Sequence, residues 1–247
     1  MVGLPGEQVI CDTAVQCASR LADALFAQLR SRMASFPRVH LALSGGSSGP
    51  VLAAALAQKR DVTSAEWARL HLWMVDERCV APEDPRLNFG ALREALLGRA
   101  PVPKANLHPM PVLAPDGDRL YEAELRAALA ERPEPERRLD AIVLGMGRDG
   151  HTASLFPRSP ALEERERWIV IADRDTAAAP GPRMTMTLPL INRACYIALF
   201  VTGESKREAL RRLAERNEGH RTLPVAGVSG TATTRPVWFL DREALPS

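Results

Sequence analysis

Short apolar runs of four to six residues recur along this chain, each stopped by glycine or by a burst of charge. Val39–Leu43, Leu70–Val75, Ala141–Leu144 and Tyr196–Val201 are the clearest. Runs of that length between turn residues suit strands buried on both faces. Trp168–Ala172, Arg183–Thr187 and Pro236–Leu240 read as further short strands, and a short apolar run lies at Gln8–Cys11. The segments between them have helical periodicity. Asp12 is placed to cap a helix over Thr13–Met33, in which Val15, Leu21, Ala22, Leu25, Phe26 and Leu29 recur at helical spacing. Val51–Gln58, Asn88–Leu97, Arg119–Glu131 and Glu204–Arg216 read as helices too, while the proline-rich Pro101–Asp118 reads as irregular and Pro133–Arg138 as a polar loop. Strand–helix alternation with no internal repeat and no long linker predicts an α/β chain. The expectation is one Rossmann-like domain over residues 1–247, a mostly parallel sheet with helices on both faces.

Composition narrows the function classes. A net charge of +2 gives no argument for a nucleic-acid or anionic-membrane partner. No apolar run approaches the roughly 20 residues that a membrane helix needs. The first residues, MVGLPGEQVICD, lack a basic region followed by an apolar core, so no secretory signal is read there. Cys11, Cys17, Cys79 and Cys195 form no CxxC pair, which suits a reducing cytoplasm and apolar packing better than zinc or disulfides. Of the 32 basic residues only Lys59, Lys104 and Lys206 are lysines, which draws attention to where an ammonium is kept.

Open α/β sheets bind ligands at the carboxyl ends of their strands. Four loops at such ends are unusual here. Ser44-Gly45-Gly46-Ser47-Ser48 turns from strand to helix and is either a helix cap or an anion nest of amides and hydroxyls. Asp76-Glu77-Arg78 follows its strand directly; Arg78 could grip an oxyanion, Asp76 could bind sugar hydroxyls or orient a base, and a solvated salt-bridge cluster is the plainer alternative. Asn88 downstream is a polar liner or a helix cap. After Ala141–Leu144 come Gly145, Gly147 and Gly150, with Asp149 and His151 in the same turn beside Thr152 and Ser154. A carboxylate and an imidazole there suggest proton transfer on a small charged ligand. The glycine spacing also matches the dinucleotide fingerprint GxGxxG, even to Asp173 near the expected interval, but Pro157 and Pro160 interrupt the helix that fingerprint needs. Finally, Lys206 in Gly203-Glu204-Ser205-Lys206 opens a helix, where the macrodipole disfavours a cation unless an anion accompanies it. Arg183 is a further anion contact on weaker grounds.

Taken together, these stretches resemble the 6-phosphogluconolactonase family. The matching pieces are LALSGGSSGPVLAAALA, MVDERCV with LNFGALREALL, LDAIVLGMGRDGHTASLFP, RMTMTLPLINRA, FVTGESKREAL and LPVAGV…VWFLD, in order from about residue 39 to residue 241. The chain departs from the family's usual GGSTP at Gly45–Pro50, where the proline is displaced by one residue. The related glucosamine-6-phosphate deaminases usually continue from DGH toward AFNEP rather than the ASLFP seen here. The resemblance implies hydrolysis of 6-phospho-D-glucono-1,5-lactone in the oxidative pentose phosphate pathway, with no cofactor and no metal. On that implication His151 is the general base for water. Asp149 orients the loop or the imidazole, and Asp76 positions sugar hydroxyls or the histidine. Arg78 and Lys206 hold the phosphate with Gly45, Gly46 and Ser47, and Asn88 and Arg183 add contacts. The rival expectations are a deaminase or isomerase on the same scaffold, a non-catalytic sugar-phosphate sensor, and a nicotinamide oxidoreductase.

Overall fold

The computed structural model describes residues 3–46, 48–97, 99–172 and 181–246. Ten strands and seven α-helices are found among them. The strands are β1 (Glu7–Cys11), β2 (Val39–Leu43), β3 (Leu70–Met74), β4 (Asp76–Arg78), β5 (Leu107–His108), β6 (Ala141–Leu144), β7 (Ile169–Ala172), β8 (Arg183–Met186), β9 (Ile197–Val201) and β10 (Val237–Asp241). The helices are α1 (Ala14–Met33), α2 (Gly49–Ala57), α3 (Ser64–Trp67), α4 (Asn88–Leu97), α5 (Gly117–Ala130), α6 (Leu188–Asn192) and α7 (Arg207–Glu215).

Seven strands form one sheet in the order β1-β10-β9-β6-β2-β3-β5. Every pairing in it is parallel. Parallel sheets need cover on both faces, and the burial pattern supplies it. Along β6, Ala141 and Val143 pack into one apolar cluster with Leu21, Leu25 and Leu29 of α1 and Leu52 and Leu56 of α2. Ile142 and Leu144 alternate to the other face, against Tyr121, Leu125 and Leu129 of α5 and Leu210 and Leu213 of α7. The expected doubly wound architecture is therefore present. The chain runs outward from β2 through β3 and β5, then returns to lay β6 beside β2 and runs the other way through β9 and β10. The winding reverses between β2 and β6, so the Ser44 loop and the Gly145 loop leave the sheet at the switch point, where such sheets open a crevice.

Several expectations need correction. The cap of α1 is Thr13, whose hydroxyl accepts from Gln16 N–H; Asp12 instead receives Arg242 on its carboxylate. Asp76-Glu77-Arg78 is not a loop but β4, the edge of a second, three-stranded sheet β4-β8-β7 that is antiparallel throughout. Glu204–Lys206 is a turn of 3-10 helix, so Lys206 precedes α7 as its cap rather than lying within it. Lys59 is a structural lysine, paired with Asp23 and Asp61. Among the described residues no helix is long and apolar enough to cross a membrane.

Candidate active site

The switch point opens into a cleft of about 200 Å³ that gathers residues from all four unusual loops. Gly45, Gly46, Asp76, Arg78, Asn88, His151, Arg183 and Lys206 all line it. Ser47 and Asp173 lie outside the described residues.

The loop after β6 holds the Asp149–His151 pair. Gly150 takes φ +81° and Ala153 φ +50°, and between them the chain reverses sharply. Gly147 N–H donates to His151 O at 2.8 Å, and Thr152 Oγ donates to Gly145 O at 2.8 Å, closing the turn. Within it, His151 Nδ1 lies 2.5 Å from Asp149 Oδ1. A carboxylate can only accept, so Nδ1 carries the proton and a neutral ring keeps its lone pair on Nε2. The imidazole rests beside Phe156, ring centroids 4.8 Å apart. A Cβ at Gly147 would stand 2.0 Å from His151 Nδ1, so the glycine is where the ring packs. The GxGxxG spacing thus serves an imidazole. Among the described residues, the next helical element after it is a 3-10 turn at Pro160–Glu163 rather than an α-helix.

Asp76 stands at the junction of β3 and β4 and is 5% exposed. Its Oδ1 accepts from Ser44 Oγ at 3.1 Å and its Oδ2 from Ser154 Oγ at 2.7 Å. Asn88 ties the glycine turn to this strand: Nδ2 donates to Asp76 O at 3.0 Å, and Gly46 N–H donates to Asn88 Oδ1 at 3.3 Å. A side chain at Gly45 would collide with Asn88 Cγ at 2.1 Å, which accounts for that glycine.

Glu77, read in the sequence only as part of a charge cluster, is a buried cap. Its carboxylate accepts from the N–H groups of Arg78, Asn88 and Phe89, each at 2.8 Å, and so closes the first turn of α4. Burial pushes its pKa up against the pull of those three amides. The run of charge after the strand was the only sequence signal, and it does not separate a cap from a ligand contact.

Three cations converge on the cleft. Arg78 on β4 sits directly opposite Arg183 on β8 in the antiparallel register. Like charges facing across strands destabilise a sheet, so this pairing suits a site that receives an anion. Arg78 Nη1 donates to Arg86 O, while its Nε is buried with no hydrogen-bond partner among the described residues. The Arg183 guanidinium lies 5.6 Å from the Phe156 ring, the same ring that flanks His151. Lys206 is half-buried, and burial together with the nearby positive charge of Arg148 lowers its pKa, with Asp149 opposing. Ser48 and Thr202 hydroxyls meet at 3.3 Å beside the start of α2, where Gly49 N–H donates to Gly46 O at 3.2 Å. Among the described residues, no group of three His, Cys, Asp or Glu is arranged to hold a metal ion.

A doubly wound parallel sheet with a basic cleft and an Asp–His pair at its switch point is the form of an α/β enzyme that handles a small anionic substrate. The comparisons with known proteins give the family. The chain belongs to the glucosamine-6-phosphate isomerases/6-phosphogluconolactonase family, whose model matches residues 12–238. It is 32% identical over 244 residues to a Synechocystis protein named 6-phosphogluconolactonase, covering 98% of this chain and 95% of that one. It is 38% identical over 234 residues to the GDH/6PGL endoplasmic bifunctional protein of Homo sapiens, covering 92% of this chain; it spans only 28% of that longer protein. Among solved structures, a 6-phosphogluconolactonase from Shewanella baltica superposes with a TM-score of 0.75 at 27% identity, covering 95% of this chain and 97% of that one.

Proposed function

We propose that this chain hydrolyses 6-phospho-D-glucono-1,5-lactone to 6-phospho-D-gluconate, a step of the oxidative pentose phosphate pathway, in the cytosol. The observation that carries the reading is the 2.5 Å Asp149–His151 contact in a cleft also lined by Arg78, Arg183 and Lys206. The family and the name of the full-length Synechocystis relative point the same way.

A lactone carbonyl is already electrophilic, so the reaction needs a base for water, a held ring and support for developing charge. His151 Nε2 takes a proton from water as the oxygen attacks C1, a contribution of about 10²–10⁴-fold. Asp149 keeps Nδ1 protonated and supports the imidazolium that forms. The tetrahedral intermediate then collapses, the bond from C1 to the ring oxygen breaks, and the imidazolium returns its proton to that oxygen. The product carboxylic acid releases one proton to solvent. Arg78 and Lys206, with the Gly45 amide, hold the phosphate, Gly46 lines the same turn with its own amide on Asn88, and Arg183 adds positive charge. Asp76 accepts from sugar hydroxyls. Binding the remote phosphate fixes C1 relative to the base, which is how binding energy becomes rate.

The test is proton release from freshly generated 6-phosphogluconolactone, corrected for spontaneous hydrolysis. The reading predicts a protein-dependent rate that falls away with unphosphorylated gluconolactone. No acceleration, together with ammonia release from glucosamine 6-phosphate, would replace it by the deaminase reading that the same family admits.

A further inference from the structure

Ser154 lies three residues beyond His151 in the same loop, and nothing in the mechanism above uses it. It is wholly buried, a costly place for a hydroxyl unless it is bonded. Its Oγ is 2.7 Å from Asp76 Oδ2, and its N–H donates to Thr185 Oγ at 3.1 Å. Thr185 is also fully buried, donates to Met186 O at 3.1 Å, and stands directly opposite Asp76 in the β4·β8 register. The turn that brings Ser154 inward contains Ala153 at φ +50°, a left-handed conformation that a non-glycine residue adopts only where its surroundings require it. A bridge between Thr152 and Leu155 closes this turn. One strained turn therefore presents His151 to the cleft on one side and drives Ser154 into Asp76 on the other.

The geometry points to Ser154 as a positioning residue: with its backbone N–H held by Thr185 Oγ, its hydroxyl fixes the Asp76 carboxylate at a set place relative to His151, so that the sugar ring is held with C1 against the base. Ser44 Oγ holds the other carboxylate oxygen at 3.1 Å. Each oxygen is left with capacity to accept from a sugar hydroxyl, and the carboxylate's rotation is fixed by two donors from two different loops. Without Ser154, the Asp76 carboxylate is anchored on one side only. The phosphate contacts still bind substrate, but the ring is no longer registered at the base. Displacements near 1 Å cost on the order of 10²-fold in rate. This inference rests on the hydrolytic reading for its kinetic part only.

The experiment compares wild type, Ser154→Ala, Asp76→Asn and the double variant. Expected is a kcat lower by about 10–100-fold for Ser154→Ala with KM within about threefold, and less than about a twofold further effect of the same change in the Asp76→Asn background. An equal factor in both backgrounds, or wild-type kcat in folded Ser154→Ala, would overturn the assignment. Should the alanine variant not fold, Ser154→Cys, similar in size and a weak donor, carries the same comparison. A second readout does not depend on turnover. With ¹³C-aspartate labelling, the carboxylate stretch lost in Asp76→Asn identifies Asp76 in the infrared. That band shifts in Ser154→Ala if the hydrogen bond exists in solution, and an unchanged band refutes the proposal. Wild-type protein that leaves the lactone untouched would refute the hydrolytic reading alone, because the infrared test still decides the role of Ser154.

Discussion

Replacing Gly147 by alanine tests whether the histidine's position is what the site is built around. Gly147 is not among the residues at positive φ, so its backbone accepts alanine without conformational strain. The obstacle is the imidazole. The new methyl would lie 2.0 Å from His151 Nδ1, 2.1 Å from Cε1 and 2.6 Å from Asp149 Oδ1. Ordinary contact begins near 3.4 Å, so the ring must retreat by about 1.4 Å, and Asp149 by about 0.8 Å. Phe156 stands at 4.8 Å from the ring and limits that retreat. A displacement of this size costs on the order of 10²-fold in rate even when the chemistry is otherwise intact. Steady-state proton release should therefore show kcat reduced about 100-fold. KM should stay near that of wild type, because the phosphate contacts are untouched, and the circular dichroism spectrum should be unchanged. Wild-type kcat in Gly147→Ala would refute the reasoning, since the imidazole could not then be where catalysis needs it.

Three further outcomes follow from the same geometry. Glu77→Ala removes the acceptor of three amides at the start of α4, so urea unfolding should show a loss of about 1–3 kcal/mol; unchanged stability would mean that the cap contributes nothing. Arg78→Ala and Lys206→Ala should each raise KM for the phosphorylated lactone by about tenfold or more and leave the unphosphorylated lactone unaffected; equal effects on both substrates would remove them from the phosphate site. Burial lowers the pKa of His40 to about 2 and that of His71 to about 4. Above pH 6.5 both are neutral, folded or unfolded. Below it the unfolded chain binds protons that the fold refuses, so stability falls as pH drops from about 6.5 toward 4, at up to roughly 1.4 kcal/mol per pH unit for each histidine. Both histidines contribute down to about pH 4, where folded His71 begins to take up its proton, and His40 alone continues below that. Urea midpoints between pH 7 and pH 4.5 measure this slope; a slope that His40→Gln leaves unchanged would contradict the assignment.

Much of the site was legible because its signals are local. A strand ending in glycine, then Asp and His two residues apart, fixes a turn and brings both groups to the sheet's carboxyl edge whatever the rest of the chain does. The helices α1 and α5 were legible for the same reason, through many turns of apolar spacing. What escaped was set by distant pairing. β4 has three residues and β5 two, too few for any periodicity to register. That Arg78 faces Arg183 follows from an antiparallel register between segments 105 positions apart in sequence, which no local pattern encodes. Ser154 looked like one more small polar residue in a loop, because its partner Asp76 is reached only through the fold. The capping of α1 by Thr13 rather than Asp12 is a one-residue matter of backbone angle, with Thr13 extended at φ −136° and ψ 158°.

The most direct measurement is hydrolysis of 6-phosphogluconolactone by wild type and by His151→Ala, followed by proton release at matched protein and substrate concentration. The account predicts rapid turnover by wild type and a kcat lower by about 10²–10⁴-fold in the variant, with KM little changed. A correctly folded His151→Ala protein that turns over as fast as wild type would contradict the claim that the Asp149–His151 pair performs the chemistry.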